Sequence, residues 1–265
     1  RKGKFSKNSE LQVVVRDLPS GDLLFRTQSD RSVNLASVTK MVTAGAALHF
    51  LGSSFGFRTR ILGERESSGT LKTLTLHTSG DPNLTESDLA AMVLAVRGEG
   101  IKKIQNLNIV LPAIGAAKFP PSFEMKKSDA AYRAPVGGFN LNRNRILVHI
   151  KPGQNIGDSV RVSLTPSASN IPIKIKAKTK AGAKDKIGVH IKWNPNGLPN
   201  LTVSGSIGIK RKAGVTGVRL NQHPERWAAE TFRTLLARSG IKVPTKAKFV
   251  SAVPRNAYLI KKYDS

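Results

Sequence analysis

The stretch "IPIKIKAKTKAGAKDKIGVHIK", residues 171–192, constrains the fold more than any other. Ile171, Ile173, Ile175 and Ala177 alternate with Lys174, Lys176, Lys178 and Lys180. Successive side chains of a strand point to opposite faces, so this period of two gathers the isoleucines on one side and the lysines on the other. A helix would scatter both around its circumference. The segment therefore predicts a half-buried β-strand with a basic outer face. Two readings of that face are open: a solvated surface, or a surface that binds polyanions.

Other runs of strand type surround it: "RILVHI", "SVRVSL" and "NLTVSGSIGI". Upstream, "LQVVVR" and residues 23–26 predict a hairpin about the turn "DLPSGD". "FRTRILG", "TLKTLTLHT" and residues 106–111 read as further strands, and residues 112–135 as an irregular, Pro-containing segment. Helices are predicted over about 37–51, stopped by Gly52, over about 86–97, and in "HPERWAAETFRTLLARSG", stopped by Gly240. Strands clustered in the middle without regular βαβ alternation predict an α+β fold.

Composition narrows the chemistry. Without cysteine there are no disulfides, thiol nucleophiles or thiolate zinc sites. No apolar run reaches the roughly 18 residues a membrane helix needs. The net charge of +26, from 43 Lys and Arg against 17 Asp and Glu, attracts polyanions. The basic residues recur along predicted strands, and no nucleic-acid-binding motif accompanies them, so specific nucleic-acid recognition ranks last.

One pair carries nucleophilic chemistry. In "NLASVTKMVTAGAALHFLG", Ser37 and Lys40 stand three apart at the start of an apolar helix. That spacing puts both on one face. First-turn backbone N–H groups are unpaired and suited to an oxyanion. The positive end of the helix dipole, together with burial of the helix, disfavours an ammonium, so a lysine there can accept the proton of an attacking hydroxyl. The competing reading is a plain helix cap with a lysine reaching solvent. Ser239 and Lys242 have the same spacing but straddle the Gly240 helix stop, so they should not share a face.

This helix resembles the Ser-x-x-Lys helix of the penicillin-recognising serine enzymes, and in particular of the class C low-molecular-mass penicillin-binding proteins, the D-alanyl-D-alanine carboxypeptidases/endopeptidases. The hairpin before it, the Gly-Asp-Pro-x-Leu stretch from Gly80 to Leu84, "YRAPVGGFNLNRNRILVHIKPG" and "HPERWAAETFRTLLARSGIKV" resemble segments of that family in the same order. Gly80, Asp81, Pro82, Tyr132, Asn140 and Asn142 are assigned to scaffold. The resemblance implies part of a transpeptidase-like, serine β-lactamase-like domain carrying a large β-rich insertion of two modules. Residues 1–52 with 256–265 would belong to the catalytic domain, 53–145 with 214–255 to one inserted module, and 146–213 to a second nested in it.

It further implies a serine-type acyl transfer on D-Ala-D-Ala peptides of peptidoglycan, with Ser37 as nucleophile, Lys40 as general base and no metal or cofactor. β-lactams would be covalent inhibitors, anionic envelope polymers possible partners, and the site of action the periplasm or wall side of the membrane. A signal removed before residue 1 would be consistent with the absence of an apolar leader in "RKGKFSKNSE". The family's two further motifs, Ser-x-Asn and Lys-Thr-Gly, follow the insertion. Here Ser6-Lys7-Asn8 and Ser32-Val33-Asn34 precede Ser37, and only the looser Lys180-Ala181-Gly182 and Lys212-Ala213-Gly214 occur later. The sequence ends at "NAYLIKKYDS", about where the family's polypeptide returns to its catalytic domain. Where family members often carry an acidic residue ahead of Tyr-x-Ala-Pro, Lys127 stands, with Asp129 nearby. The alternative implied is a catalytically incomplete homologue acting as a basic peptidoglycan- or envelope-polyanion-binding protein.

Overall fold

A computed structural model describes residues 11–30, 32–115, 131–167, 170–195, 198–211, 214–219 and 223–265. Lys127, Asp129 and the Ser6-Lys7-Asn8 match lie outside the described residues, as do two of the three residues of Lys212-Ala213-Gly214. The chain divides into two compact units, Arg1–Phe55 and Gly56–Ser265.

In the first unit, β1 (Val13–Arg16) and β2 (Leu23–Thr27) form an antiparallel hairpin. Its turn is closed by Asp17, whose carboxylate accepts from the Ser20 backbone N–H at 2.9 Å and the Ser20 hydroxyl at 2.8 Å. A 3-10 turn, Ala36–Val38, leads into α1 (Thr39–Leu51). Gly52 ends the helix at φ +78, a left-handed value that glycine adopts without the Cβ penalty.

The second unit is built on a five-stranded sheet. Its strands are β3 (Arg58–Ser67), β4 (Thr70–His77), β5 (Lys103–Val110), β13 (Lys248–Val250) and β14 (Tyr258–Asp264) in the order β13-β5-β4-β3-β14. The sequence pattern shows no regular βαβ alternation, yet β4 and β5 are parallel, joined through α2 (Glu86–Gly98), and β13 is parallel to β5. Helix α2 starts with a capping box: Thr85 Oγ1 accepts from the Asp88 N–H while the Asp88 carboxylate accepts from the Thr85 N–H. Leu89, Met92, Val93 and Val96 form its buried stripe, and it packs against α3 (Pro224–Arg238), which buries Trp227, Phe232 and Leu236.

Two smaller sheets complete this unit. β6 (Arg145–Lys151) lies between β7 (Arg161–Thr165) and β12 (Gly214–Arg219), with Ile146, Val148 and Ile150 turned to the core. In the other, β11 (Pro199–Gly208) is central. β10 (Asp185–Trp193) runs antiparallel on one side of it, and β8 (Ile173–Ile175) and β9 (Lys178–Lys180) run parallel on the other. The 171–180 segment is thus one strand path with an interruption. Lys176 N–H and Ala177 N–H both donate to the Val203 carbonyl, and the pairing resumes beyond them in the same register. Gly205 of β11 has φ +98, and a Cβ there would strike the Lys186 carbonyl oxygen across the pair.

Two boundaries differ from the sequence expectation. Residues 256–265 were assigned with 1–52, but β14 pairs antiparallel with β3 inside the second unit. Tyr258, Ile260 and Tyr263 pack on that unit's core, which anchors the terminal strand there. A break at 213/214 was also expected, but β12 begins at Gly214 and pairs along the whole of β6, so that cut would divide a sheet.

Candidate active site

Ser37 sits in the 3-10 turn, and Lys40 is the second residue of α1. The two helical segments are continuous enough to bring the side chains together: Lys40 Nζ donates to Ser37 Oγ at 2.9 Å. The approach is set by the three residues before Ser37. Asn34 Oδ1 accepts from the Ala36 N–H at 3.0 Å, and the Leu35 carbonyl accepts from the Val38 N–H at 2.9 Å. Ala36 itself is held at φ +44, a region that costs a non-glycine residue about 1–3 kcal/mol. This left-handed residue immediately precedes the nucleophile candidate.

Asn34 could have been found from sequence, because an Asx turn ahead of a helix is a known entry signal. Ala36 could not, since alanine gives no sign of a left-handed backbone. The Ser32-Val33-Asn34 match is therefore part of this helix entry, its asparagine occupied in the turn.

The expected burial of the helix is not found. Ser37 and Lys40 are exposed, and α1 has no buried residue; Met41 is 74% and Phe50 80% exposed. One hairpin and one helix cannot enclose a helix on every side. The first turn of α1 holds no acidic residue.

The second Ser-x-x-Lys copy behaves as a geometric control. Ser239 Oγ donates to the Leu236 carbonyl at 2.7 Å, Gly240 turns the chain at φ +86, and Lys242 is drawn into backbone pairing with Lys102 and Ile104. The same four-residue pattern gives a pair in one place and none in the other, because only the first copy is helical throughout.

Of the residues assigned to scaffold, Asp81, Asn140 and Asn142 are tied into the backbone by hydrogen bonds. Asp81 Oδ1 accepts from the Asn83 N–H at 2.8 Å, closing the Gly-Asp-Pro turn. Asn140 Nδ2 donates to the Gly80 and Gly137 carbonyls, both at 2.8 Å, and its Oδ1 accepts from the Gly137 N–H at 3.0 Å. Asn142 Oδ1 accepts from the Glu86 N–H at 2.9 Å, at the start of α2. Tyr132 is mostly exposed beside a cavity of about 220 Å³ lined by Pro82, Pro135 and Arg143. Lys180-Ala181-Gly182 leaves the end of β9 in a bend.

Residues 5–265 match the D-Ala-D-Ala carboxypeptidase 3 (S13) family. The chain belongs to this family. It is 25% identical over 246 residues to the D-alanyl-D-alanine carboxypeptidase of Actinomadura sp. (strain R39), covering 87% of this chain and 44% of that protein. To D-alanyl-D-alanine carboxypeptidase DacB of Haemophilus influenzae it is 22% identical over 176 residues, 65% of this chain and 36% of that one. The crystal structure of penicillin-binding protein 4 (dacB) from H. influenzae superposes with a TM-score of 0.66 at 20% identity over 95% of this chain and 55% of that one. The same protein complexed with a β-lactam gives 0.65. The mixed α/β architecture is therefore the penicillin-binding-protein fold that the sequence resemblance implied. The chain spans about half the length, or less, of these S13 relatives.

Proposed function

We propose that this chain supplies the nucleophile of a serine D-Ala-D-Ala carboxypeptidase acting on peptidoglycan peptides. The observation that carries the reading is the 2.9 Å contact of Lys40 Nζ with Ser37 Oγ at a helix entry, in a chain of the S13 family. In the proposed reaction, neutral Lys40 takes the Ser37 hydroxyl proton as Oγ bonds to the carbonyl carbon of the terminal D-Ala-D-Ala amide. The tetrahedral intermediate collapses with cleavage of the C–N bond, and the departing D-Ala amine receives the proton from Lys40. Water then attacks the ester and regenerates Ser37. Cleavage of D-amino-acid crosslinks is the same chemistry on a longer leaving group.

The reading places the protein outside the cytoplasmic membrane, where its substrate is. A β-lactam would acylate Ser37, since its strained amide presents the same carbonyl. The test is covalent labelling of the complete gene product with a fluorescent penicillin. Wild type and Ser239→Ala should label and Ser37→Ala should not. Labelling that survives Ser37→Ala removes Ser37 as nucleophile. A second reading, a basic envelope-binding homologue without acyl transfer, is favoured by the exposure of Ser37 and Lys40; it requires that the complete gene product takes up no label at all.

A further inference from the structure

The charge of this protein is concentrated. Between residues 131 and 223 there are sixteen Lys and Arg against two acidic residues, Asp158 and Asp185. The sheet of β8–β11 arranges part of that charge on one face. Along central β11, Leu201, Val203 and Ile207 are buried, and Asn200, Thr202, Ser204 and Ser206 occupy the opposite face. These four consecutive outward positions are short and hydrogen-bonding.

Lysines flank them on both sides. Lys186 of β10 is registered against Ser206, and Ser206 against Lys178 of β9. His190 is registered against Thr202, and Thr202 against Lys174. Lys174, Lys176, Lys178, Lys186 and Lys192 are exposed, and among the described residues none has a carboxylate within ion-pair distance. Asp185 lies at the opposite strand parity and is paired with Arg211 at 3.3 Å.

Protection of a sheet edge, a common use of lysine, does not account for Lys178. Its strand edge is already hydrogen-bonded: Val160 N–H donates to the Ala177 carbonyl and Thr179 N–H to that of Asp158. The result is a hydroxyl- and amide-lined strip with positive charge along both margins. Same-face positions repeat about every 6.7 Å along a strand, and adjacent strands lie about 4.8 Å apart. A chain laid along β11 would meet Lys192 beside Asn200, Lys174 beside Thr202, and both Lys178 and Lys186 beside Ser206. Phe, Tyr and Trp platforms, on which single-stranded nucleic acids stack, are missing from the described outward positions, since Trp193 falls on the inward parity and His190 is the one ring there.

We propose that this face is a docking strip for a linear phosphate-bearing polymer that is not a nucleic acid. The lysines act as point charges on the phosphates, and Thr202, Ser204 and Ser206 donate to the non-bridging oxygens. The inference stands apart from the acyl-transfer reading and does not involve Ser37.

The probe is end-labelled linear inorganic polyphosphate, titrated with the 265-residue chain at several salt concentrations. The variant K174Q/K176Q/K178Q/K186Q is compared with K102Q/K103Q/K246Q/K248Q, which removes the same charge from exposed lysines elsewhere in the second unit. The face variant should lose at least about tenfold in affinity at low salt and flatten the log–log salt slope by about 3, as loss of four phosphate contacts requires. The control should change affinity less than about threefold. Ser206→Glu, which leaves every lysine in place, should also weaken binding. Equal losses in the two lysine variants would mean that net charge alone is responsible, and would overturn the proposal. So would an unaffected Ser206→Glu, or tighter binding of poly-L-glutamate or single-stranded DNA than of polyphosphate at matched charge.

Discussion

Asn144 Nδ2 donates to Asn140 Oδ1 at 2.7 Å inside the second unit, where both side chains are buried. Asn140 ties the Gly80 carbonyl and both polar groups of the Gly137 backbone, and Asn144 reaches the Pro135 carbonyl at 2.8 Å. Two segments distant in sequence, the Gly-Asp-Pro turn and the stretch after Tyr-x-Ala-Pro, are thereby held by one amide pair. Asn140→Ala would strand several buried donors and acceptors and should cost about 3 kcal/mol. Asn142→Ala removes one bond at the start of α2 and should cost about 1 kcal/mol. Urea unfolding followed by the fluorescence of Trp193 and Trp227, both in this unit, measures the difference; equal costs would contradict the network's importance.

Lys40→Arg separates the charge of residue 40 from its basicity. A guanidinium keeps the positive charge but cannot accept a proton near neutrality. Penicillin acylation of the complete gene product should fall by at least about 100-fold, the scale of a lost general base. The circular dichroism spectrum should be unchanged. A variant that acylates at the wild-type rate would make Lys40 a solvated helix residue.

Ala36 offers a test of positioning distinct from chemistry. At φ +44, glycine is unstrained and a β-branched residue is a severe outlier. Ala36→Gly should retain acylation within a fewfold, and Ala36→Val should lose most of it. The rescue by glycine is the informative readout, because a residue that merely filled space would tolerate valine as well as glycine.

His77 gives a pH dependence. Burial, with the Arg60 charge beside it, lowers the pKa of His77 from the ordinary 6.5. Arg60 donates to His77 Nδ1 at 2.8 Å, a bond that requires the neutral ring. The unfolded chain therefore takes up the proton first, and stability falls as pH drops below about 6.5 until the folded-state pKa is passed. His77→Gln should flatten the fall in melting temperature between pH 7 and 5. An NMR titration of His77 at or above 6.5 would contradict the assignment.

The local patterns were legible in the sequence. Alternation of Ile and Lys marked the 171–180 strand, the glycines at 52 and 240 marked helix ends, and the Ser37–Lys40 spacing marked a pair that is 2.9 Å apart in the structure. These are short-range consequences of backbone period and sterics, so a few neighbouring residues determine them. Tertiary structure decided what depends on distant partners. It drew 258–264 to β3 and 214–219 to β6, because those edges offered open hydrogen bonds and matching apolar faces. It buried Arg133, a residue type usually exposed, within the Tyr-x-Ala-Pro segment. It left α1 uncovered within its own unit despite an apolar composition, because burial depends on what surrounds a helix as well as on its own residues. It also placed Lys186 and Lys178, eight residues apart, on the two flanks of Ser206, a juxtaposition set by strand register and absent from either strand alone.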